Sequence, residues 1–408
     1  MIKKTLNKTL SICPVCFKEI EASVIEYVGE GIFLEKECSE CGADSYSHAL
    51  IEKDPLLYTV LMNREAKTSF CNLTLPVTQQ CNLSCNMCYA PFFKSSDPLR
   101  EELEKIVDAS SSLWIKITGG EPTVRKDLPY FLQYLKNKGR SFTLVTNGIK
   151  LSDIKYVRLL KQSGLKRVAL SFLGFNDDAY VKIRGRKLLI IKMRALKNLK
   201  KLNIEVVLSV SVVRGINDNE IKRIYRFYIK NRAFIKSLRI RTMSRVGRFM
   251  GVEPFCLSEL LALVSEAIGF KKEELIESFL KSDSTSFATC RFEVDIFDLY
   301  NNRMNKIVKN LHKLSFFIKV FEYIRLFGFI PKRLIKNTKI HLRVWPDKNT
   351  VDLGEINKCL TGIPDESGRL VPFCLYNIRQ SREEANQNIN LIGKNVDNYF
   401  LLQDDCGC

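Results

Sequence analysis

Histidine, export signals and long apolar runs are scarce or missing in this 408-residue chain. Its three histidines, His48, His312 and His341, leave little material for imidazole acid–base or Ser-His chemistry. No uninterrupted apolar run of about 18 residues predicts a membrane-spanning helix, and the basic stretch from Met1 to Leu10 contains no apolar segment of signal-peptide length. We therefore expect a cytoplasmic protein whose chemistry uses other side chains.

Positive charge is in clear excess. The chain has 64 Lys and Arg against 45 Asp and Glu, a formal net charge of +19. Much of this excess is local, because the stretch from Arg303 to Arg343 contains Glu322 as its one acid. Such an excess predicts attraction to an anionic partner, either a nucleic acid or a membrane surface, and charge alone does not choose between them.

Four of the fourteen cysteines form two C-x2-C pairs, Cys13 with Cys16 and Cys38 with Cys41. Two such pairs are typical of a four-thiolate tetrahedral site, as in zinc ribbons and rubredoxin-type iron centres. Gly42 suits a tight turn after the second pair. We expect a metal module over residues 1–65 that holds one Fe or Zn ion, since both metals accept four thiolates.

The next region, residues 66–250, alternates β-like apolar runs with helix-like segments, which predicts an α/β fold with a parallel sheet. Six units of this kind indicate a partial (β/α)6 barrel, followed by a C-terminal α+β region over residues 251–408. Functional residues of such folds gather at the carboxyl ends of the strands. The predicted strands are Leu73–Val77, Trp114–Thr118, Phe142–Thr146, Val168–Phe172, Val206–Val213 and Leu238–Met243, and the helices between them include Asp127–Lys136, Asp153–Gln162, Ile190–Leu202 and Glu220–Lys230.

Three cysteines follow the first predicted strand in a C-x3-C-x2-C pattern, Cys81, Cys85 and Cys88. Thiolates select iron–sulfur clusters, and three of them leave one iron of a four-iron cluster open to another ligand. Two short polar motifs end the second and third strands. Paired glycines let the backbone lie close to a ligand, and a carboxylate with nearby carbonyls can accept from an ammonium group. These motifs are Gly119-Gly120-Glu121-Pro122 and Thr146-Asn147-Gly148.

This combination, with an aromatic residue after the last cysteine, resembles the radical S-adenosylmethionine (SAM) superfamily over about Leu73 to Arg248. The resemblance implies a [4Fe–4S] cluster on the three cysteines, with SAM chelating the open iron. It also implies that an electron, from a donor such as a ferredoxin or flavodoxin, splits SAM into methionine and a 5′-deoxyadenosyl radical that removes hydrogen from an unactivated carbon. The residues expected near SAM or the substrate are Tyr89, Gly119, Gly120, Glu121, Pro122, Thr146, Asn147, Ser171, Ser209, Ser211 and Arg241.

A closer likeness covers more of the chain. The paired cysteines, the core, Lys182-Ile183-Arg184-Gly185-Arg186 and Val371-Pro372-Phe373-Cys374-Leu375-Tyr376-Asn377 are similar to an archaeal family that contains tetraether lipid synthase and methyltransferases of a hydroxymethyl-dihydropterin. The lipid enzyme implies carbon–carbon coupling of lipid tails, a mononuclear iron and auxiliary clusters. Two auxiliary clusters would need eight cysteines and seven remain, so we expect at most one such [4Fe–4S] cluster, with Cys290, Cys359 and Cys374 as ligands.

An aromatic helix predicted over His312–Ile330 bears on the choice of substrate. Its wide apolar face with flanking basic residues fits docking at the inner face of a membrane, although packing against the core would produce the same pattern. It favours a lipid tail as substrate over a pterin. RNA or a peptide is a further alternative, but no recognisable RNA-binding module accompanies the core, so we expect no nucleic-acid partner. A non-enzymatic ribbon protein would leave Cys81, Cys85 and Cys88 without a purpose.

Overall fold

The computed structural model describes residues 2–63, 70–89, 97–112, 114–248, 251–281, 291–308, 315–327, 338–365 and 368–383. Among the residues singled out from the sequence, Cys290 and His312 lie outside these ranges. The predicted helix His312–Ile330 is covered only over its central part.

The N-terminal module is a four-stranded antiparallel sheet in the order β1-β2-β3-β4. The two cysteine pairs lie where β1 turns into β2 and where β3 turns into β4. A short helix, α1, follows, and the carboxylate of Asp54 caps it by accepting from the backbone N–H groups of Leu56 and Leu57. The elements are β1 (Lys3–Ile12), β2 (Glu19–Tyr27), β3 (Gly31–Cys38), β4 (Gly42–Glu52) and α1 (Pro55–Met62).

The rest of the described chain builds a sheet of ten strands in the order β11-β12-β10-β9-β8-β7-β6-β5-β13-β14. Only the two outer pairings, β11 with β12 and β13 with β14, are antiparallel. The strands are β5 (Asn72–Pro76), β6 (Trp114–Thr118), β7 (Ser141–Thr146), β8 (Arg167–Phe172), β9 (Glu205–Val212), β10 (Ile235–Thr242), β11 (Arg291–Asp295), β12 (Lys339–Arg343), β13 (Thr361–Pro364) and β14 (Leu370–Pro372).

Helices connect these strands and cover one face of the sheet. They are α2 (Arg100–Ala109), α3 (Leu128–Asn137), α4 (Ile154–Gln162), α5 (Asp177–Arg184), α6 (Leu189–Lys201), α7 (Ile221–Lys230), α8 (Leu257–Ile268), α9 (Lys272–Lys281), α10 (Ile296–Val308), α11 (Ser315–Phe327), α12 (Leu353–Ile356) and α13 (Phe373–Glu383). The predicted strands and the predicted helices of the core are confirmed, with ends shifted by at most three residues. The α/β barrel-type fold is thereby confirmed as well.

The two faces of the sheet differ in chemistry because side chains alternate along a strand. One set, which includes Leu73, Ile115, Leu144 and Leu208, is fully buried in the main apolar core beneath the helices. The alternate set forms what we call the inner face, and most of its side chains are polar. The polar members include Thr74, Lys116, Thr143, Ser171, Ser209, Ser211, Arg239, Arg241, His341 and Arg343.

Strand register arranges the inner face in two rows. Arg343 of β12, Arg241 of β10 and Ser211 of β9 are direct Cα partners across the sheet, and we call them the arginine row. Two residues earlier on each strand, His341, Arg239 and Ser209 form a second row, which continues to Ser171 of β8 and to Glu293 of β11.

The N-terminal module packs on the C-terminal region. Thr9 donates from Oγ1 to Asp352 Oδ1 at 2.7 Å, and Ser11 donates from Oγ to the carbonyl of Val351 at 2.6 Å. Lys348 donates from Nζ to the carbonyl of Pro14 at 2.9 Å. The fully buried Ile12 joins a small apolar cluster with residues of α12 and α13. The cysteine module is therefore anchored to the same region that supplies the outer strands of the large sheet.

Helix α11 packs against the core on one side and exposes apolar residues on the other. Phe327 is buried in the main core, and Tyr323 packs against it. Phe321, by contrast, is 71% exposed, and Val320 is exposed beside it. Within the described ranges, none of the helices has both the length and the apolarity that crossing a membrane requires.

One buried amide joins the ends of two central strands. Asn217 is fully buried and donates from Nδ2 to the carbonyls of Leu173 and Ser211, both at 2.9 Å, while its Oδ1 accepts from the backbone N–H of Val213 at 2.8 Å. It therefore fixes β9 against the end of β8, where the polar inner face begins.

We predict that Asn217→Ala lowers the free energy of unfolding by about 2–4 kcal/mol, because it removes three hydrogen bonds between a buried side chain and the backbone. Urea unfolding followed by circular dichroism measures the change. Asn219→Ala is the matched control, since Asn219 is exposed in the same turn. Equal midpoints for both variants would show that the buried amide does not hold the strand ends.

Candidate functional site

The loop that carries Cys81, Cys85 and Cys88 leaves β5 and is fixed from two sides. The backbone N–H of Met87 donates to the carbonyl of Ile183 at the end of α5 at 3.2 Å. Cys88 and Arg248 exchange two backbone hydrogen bonds, at 3.0 and 2.8 Å. Cys81 is exposed, Cys85 is buried and Cys88 is half-buried. The three thiols thus lie on a loop that the surrounding chain holds in place.

The paired glycines after β6 pack against the entrance to this loop. The backbone N–H of Gly120 donates to the carbonyl of Thr78 at 2.9 Å, and that of Glu121 donates to the carbonyl of Gln80 at 2.8 Å. A Cβ at Gly119 would lie 2.2 Å from the Thr78 oxygen, and one at Gly120 would lie 2.4 Å from the Gln80 oxygen. The glycines are therefore needed for the approach of two protein segments, in addition to any contact with SAM.

Glu121 connects the ends of β6 and β7. Its buried carboxylate accepts at Oε1 from the backbone and hydroxyl groups of Thr123 at 3.1 and 2.6 Å, and from the hydroxyl of Thr146 at 2.6 Å. At Oε2 it accepts from the backbone N–H of Asn147 at 2.6 Å. The side chain of Asn147 in turn donates to Asn82 Oδ1 in the cysteine loop at 2.8 Å. The structure therefore gives Glu121 a positioning role, and its contact with the SAM amino group stays a prediction.

A buried lysine at this edge of the sheet was not expected from the sequence. Lys192 of α6 donates from Nζ to the carbonyls of Asn147 and Ser171, the latter at 2.7 Å. Burial, reinforced by the nearby Arg184, lowers the pKa of Lys192 to about 7. A signal was present: Lys192 shares the apolar face of its helix with Ala195 and Leu199.

Arginines and aromatic rings line the space beside the loop. Arg184 donates to Ser171 Oγ at 3.2 Å and to the carbonyl of Met87 at 3.4 Å. Arg241 donates from Nε to Ser211 Oγ at 3.1 Å, and its guanidinium carbon lies 4.9 Å from the ring centre of Trp345. Burial lowers the pKa of Arg241 to about 10, so the group stays charged at neutral pH.

Tyr89 belongs to an aromatic cluster that the sequence did not reveal. Its ring centre lies 5.3 Å from that of Trp345 and 5.8 Å from that of Phe373, both at steep angles. Trp345 follows β12 and Phe373 begins α13, so two separate C-terminal segments meet the end of the cysteine loop here. Edge-to-face packing of this kind holds the rings in fixed positions beside the inner face.

The four cysteines of the N-terminal module converge. Their sulfur atoms all lie within 4.8 Å of one another. Cys13 Sγ accepts from the backbone N–H groups of Val15 and Cys16, both at 3.3 Å. Although burial raises it, these hydrogen bonds bring the pKa of the Cys13 thiol down to about 7. Gly42 has φ of 58°, the left-handed conformation expected for the turn after the second pair. The four thiols form a metal site.

Within the described ranges, this quartet is the one group of three or more such donors drawn together so closely. The thiols of Cys81, Cys85 and Cys88 are therefore spread too widely for a single ion. Soft thiolate donors in that wider arrangement fit a multi-iron cluster, whose ligands bind different metal atoms. Desolvation by the surrounding chain, with the negative charges of Glu121 and the other two thiols nearby, raises the pKa of the Cys81 thiol to about 11, so a bound cation favours its thiolate form.

Two of the three predicted auxiliary ligands come to one cavity. Cys359 and Cys374 line a cavity of about 190 Å³ between the N-terminal module and the large sheet. The buried Cys256, which was not among the predicted ligands, lines it too. An auxiliary cluster stays a prediction, with Cys256 as a further candidate ligand.

Comparison with known proteins agrees with this geometry. Residues 75–228 match the family model of the radical SAM superfamily, and residues 5–46 match that of the HMPTM N-terminal zinc ribbon domain. Residues 75–228 therefore form a radical SAM domain, preceded by a zinc ribbon. The resemblance drawn from its motifs is confirmed, as are the dependence on a [4Fe–4S] cluster and SAM and the metal site in the ribbon.

The relatives that match this chain carry names that refer to different substrates. The chain is 33% identical to 7,8-dihydro-6-hydroxymethylpterin dimethyltransferase of Methanocaldococcus jannaschii, over 59% of this chain and 54% of that protein. It is 35% identical to a probable GTP 3′,8-cyclase of Pyrococcus horikoshii, over 38% of this chain and 51% of the relative. The chain thus spans about half the length of these curated relatives.

Among solved structures, the chain aligns with Streptococcus suis SuiB bound to S-adenosylmethionine. The TM-score is 0.42 and the identity 17%, over 51% of this chain and 49% of SuiB. A likeness of this strength carries no information about substrate.

We predict that the zinc ribbon holds its metal independently of the SAM-binding cluster. Cys16→Ser should remove one Zn or Fe ion per chain, because three thiolates bind a single ion much more weakly than four, and it should leave the remaining iron and all acid-labile sulfide in place. Metal and sulfide analysis of anaerobically reconstituted protein measures both. Loss of sulfide together with the ribbon metal would contradict this independence.

We also predict a pH-dependent contribution from Lys192. In the folded chain its amine loses a proton near pH 7, whereas an unfolded lysine keeps it to about pH 10.5, so the unfolded state binds more protons in between and wild-type stability rises with pH. Lys192→Met should lack this gain between pH 6 and 9, in urea unfolding series at each pH. The exposed Lys197→Met on the same helix is the control. If the difference in free energy of unfolding between the wild type and Lys192→Met is the same at every pH, the pKa of Lys192 is not lowered by burial.

Proposed function

We propose that this radical SAM enzyme modifies a polar, flat small molecule of the dihydropterin kind, by hydrogen abstraction or methyl transfer. The observation that carries the proposal is the polarity of the inner face, on which arginine, serine, threonine and histidine side chains alternate with the buried core residues. A lipid tail placed there would strip water from these groups without replacing their hydrogen bonds, which is costly.

The aromatic cluster supports a flat ring as the occupant. Tyr89, Trp345 and Phe373 stand beside the inner face, and heterocycles bind proteins by stacking on such rings while polar groups read their edges. The M. jannaschii relative, at 33% identity, is named as acting on a hydroxymethylpterin. Both points favour the pterin alternative over the lipid tail that the sequence first suggested.

The chain's own residues would divide the work as follows. Cys81, Cys85 and Cys88 hold the cluster, and Glu121 with Asn147 fixes the cysteine loop against the strand ends. The cluster and SAM supply one-electron cleavage of SAM and removal of a hydrogen atom from the substrate. Arg184 joins Ser171 to the loop, and the packed aromatic rings exclude water from the space between loop and sheet. An electron donor such as a ferredoxin or flavodoxin is part of the proposal.

A lipid substrate is the second candidate, because helix α11 exposes Phe321 and Val320 beside a basic stretch. That surface fits peripheral contact with an anionic membrane. In the described part of the stretch, however, Arg303 and Arg325 both form ion pairs with Glu322, and Arg303 also pairs with Glu274, so part of the positive charge is already compensated.

Replacing Cys81, Cys85 and Cys88 together by Ala should abolish 5′-deoxyadenosine formation from SAM, because no three-thiolate cluster can then assemble. Chromatography of anaerobic reactions with dithionite measures the product, and Cys16→Ser serves as the control that retains it. Deoxyadenosine from the triple variant would overturn the assignment of these three ligands.

The substrate class is tested by product analysis. With SAM and reductant, 7,8-dihydro-6-hydroxymethylpterin should raise deoxyadenosine formation and give a product whose mass differs from that of the added pterin. Phospholipid vesicles supplied instead should give neither. Stimulation by lipid, with new tail-to-tail coupled lipids and an unchanged pterin, would replace the pterin proposal by the lipid one.

A further inference from the structure

The arginine row carries positive charge that the described part of the chain does not neutralise. Arg241 and Arg343 are direct Cα partners on adjacent parallel strands, so both side chains start from one level of the inner face. Arg184 lies close enough to Arg241 to disfavour its charge. Among the described residues, no carboxylate forms an ion pair with Arg184, Arg241 or Arg343.

Cationic side chains of β12 near the second row do have a carboxylate partner. There, Glu293 lies 2.9 Å from His341 and 2.6 Å from Lys339, so the cationic side chains have a carboxylate partner. At the amino-terminal end of β8 and β9, Arg167 pairs with Glu205 at 2.7 Å. These cationic groups thus have carboxylate partners within the protein, which Arg241 and Arg343 lack among the described residues.

The hydrogen-bonding groups of the row are also incompletely used. Nε of Arg343 is buried and has no hydrogen-bond partner. Arg241 donates from Nε to Ser211, and Trp345 supports its guanidinium plane at 4.9 Å. Both side chains are half-buried, so part of each remains open to the interior space. A buried donor without a hydrogen-bond partner and a guanidinium over an indole ring are arranged for an acceptor that the described part of the chain does not provide.

We propose that Arg241 and Arg343 form a subsite for an anionic group, a phosphate or a carboxylate, on the substrate of this enzyme. The inference rests on the proposed function, because it places a charged substituent of the small molecule at the arginine row and its ring against the aromatic cluster. Two guanidiniums side by side match the oxygens of a phosphate ester well. Arg184 is not part of the subsite, since it already donates to Ser171 and Met87.

The carboxylate of SAM is the other source of such an anion, and binding measurements separate the two. Equilibrium dialysis of the anaerobic, cluster-loaded enzyme would use four probes: SAM, inorganic diphosphate, 7,8-dihydro-6-hydroxymethylpterin and the phosphate ester of that pterin. We expect the ester to bind more tightly than the alcohol. Arg241→Gln and Arg343→Gln should each weaken the ester and diphosphate by about tenfold to a hundredfold, the effect of losing a charged hydrogen bond.

Controls keep the result interpretable. Arg226→Gln removes one positive charge from the exposed face of α7 and should change none of the four affinities. Iron and sulfide content together with circular dichroism show whether each variant is folded and loaded. Arg343→Lys keeps the charge without the planar fork, and should restore only part of the affinity for the ester.

Three outcomes would overturn the inference. Equal affinity of the wild type for the ester and for the alcohol would show that the arginine row does not bind an anionic group of the substrate. Loss of SAM affinity in parallel with the ester would assign the row to the SAM carboxylate. If Arg226→Gln weakens binding of the ester as much as Arg241→Gln and Arg343→Gln do, the effect comes from the net charge of the protein and not from a subsite. If the ester binds through Arg241 and Arg343 but no pterin product forms in any assay, the subsite stands and the proposed reaction fails.

Discussion

The carboxylate of Glu121 is the interaction on which the site depends. It is buried, it accepts four hydrogen bonds from Thr123, Thr146 and Asn147, and through Asn147 it reaches Asn82 in the cysteine loop. A buried carboxylate is stable only when its oxygens are satisfied in this way. Because Gly119 and Gly120 have no side chain, the end of β6 packs directly against the loop entrance. The cysteine loop, β6 and β7 therefore form one unit. This unit fixes the positions of the three thiols.

The large sheet separates two kinds of chemistry. Its outer face is a continuous apolar core under the helices, which supplies stability, while its inner face collects hydroxyls and guanidinium groups that contribute little to packing. Partly buried cations without carboxylate partners destabilise a fold, so a bound anion explains the arginine row better than stability does. Two separate C-terminal segments bring Trp345 and Phe373 to the same space, which makes the C-terminal region part of the site although the family match ends at residue 228.

Much of the fold follows from local pattern. The strands of the core and the helices between them are long and periodic, and the two cysteine motifs have diagnostic spacing, so these elements were predicted closely. The outer strands β11 to β14 were not predicted, because they lie in a region without the regular strand–helix alternation that identifies β5 and β6, and three to five residues alone carry too little periodicity. Trp345, Phe373 and Cys256 reach the site or the cavity through tertiary packing from distant segments, which sequence spacing cannot show. The burial of Lys192 could have been predicted, because this residue lies on the apolar face of its helix. The lipid substrate was inferred from a family resemblance, the net charge and one aromatic helix, and none of these reports on the inner face.

We infer that Cys81, Cys85 and Cys88 hold a cluster with one iron open to SAM. Electron paramagnetic resonance of the dithionite-reduced, anaerobically reconstituted protein tests this inference. A cluster with an open iron should change its spectrum when SAM is added, because the cofactor then becomes a ligand. The account predicts that change in the wild type and in Cys16→Ser alike. A reduced-cluster spectrum that SAM leaves unaltered would contradict it.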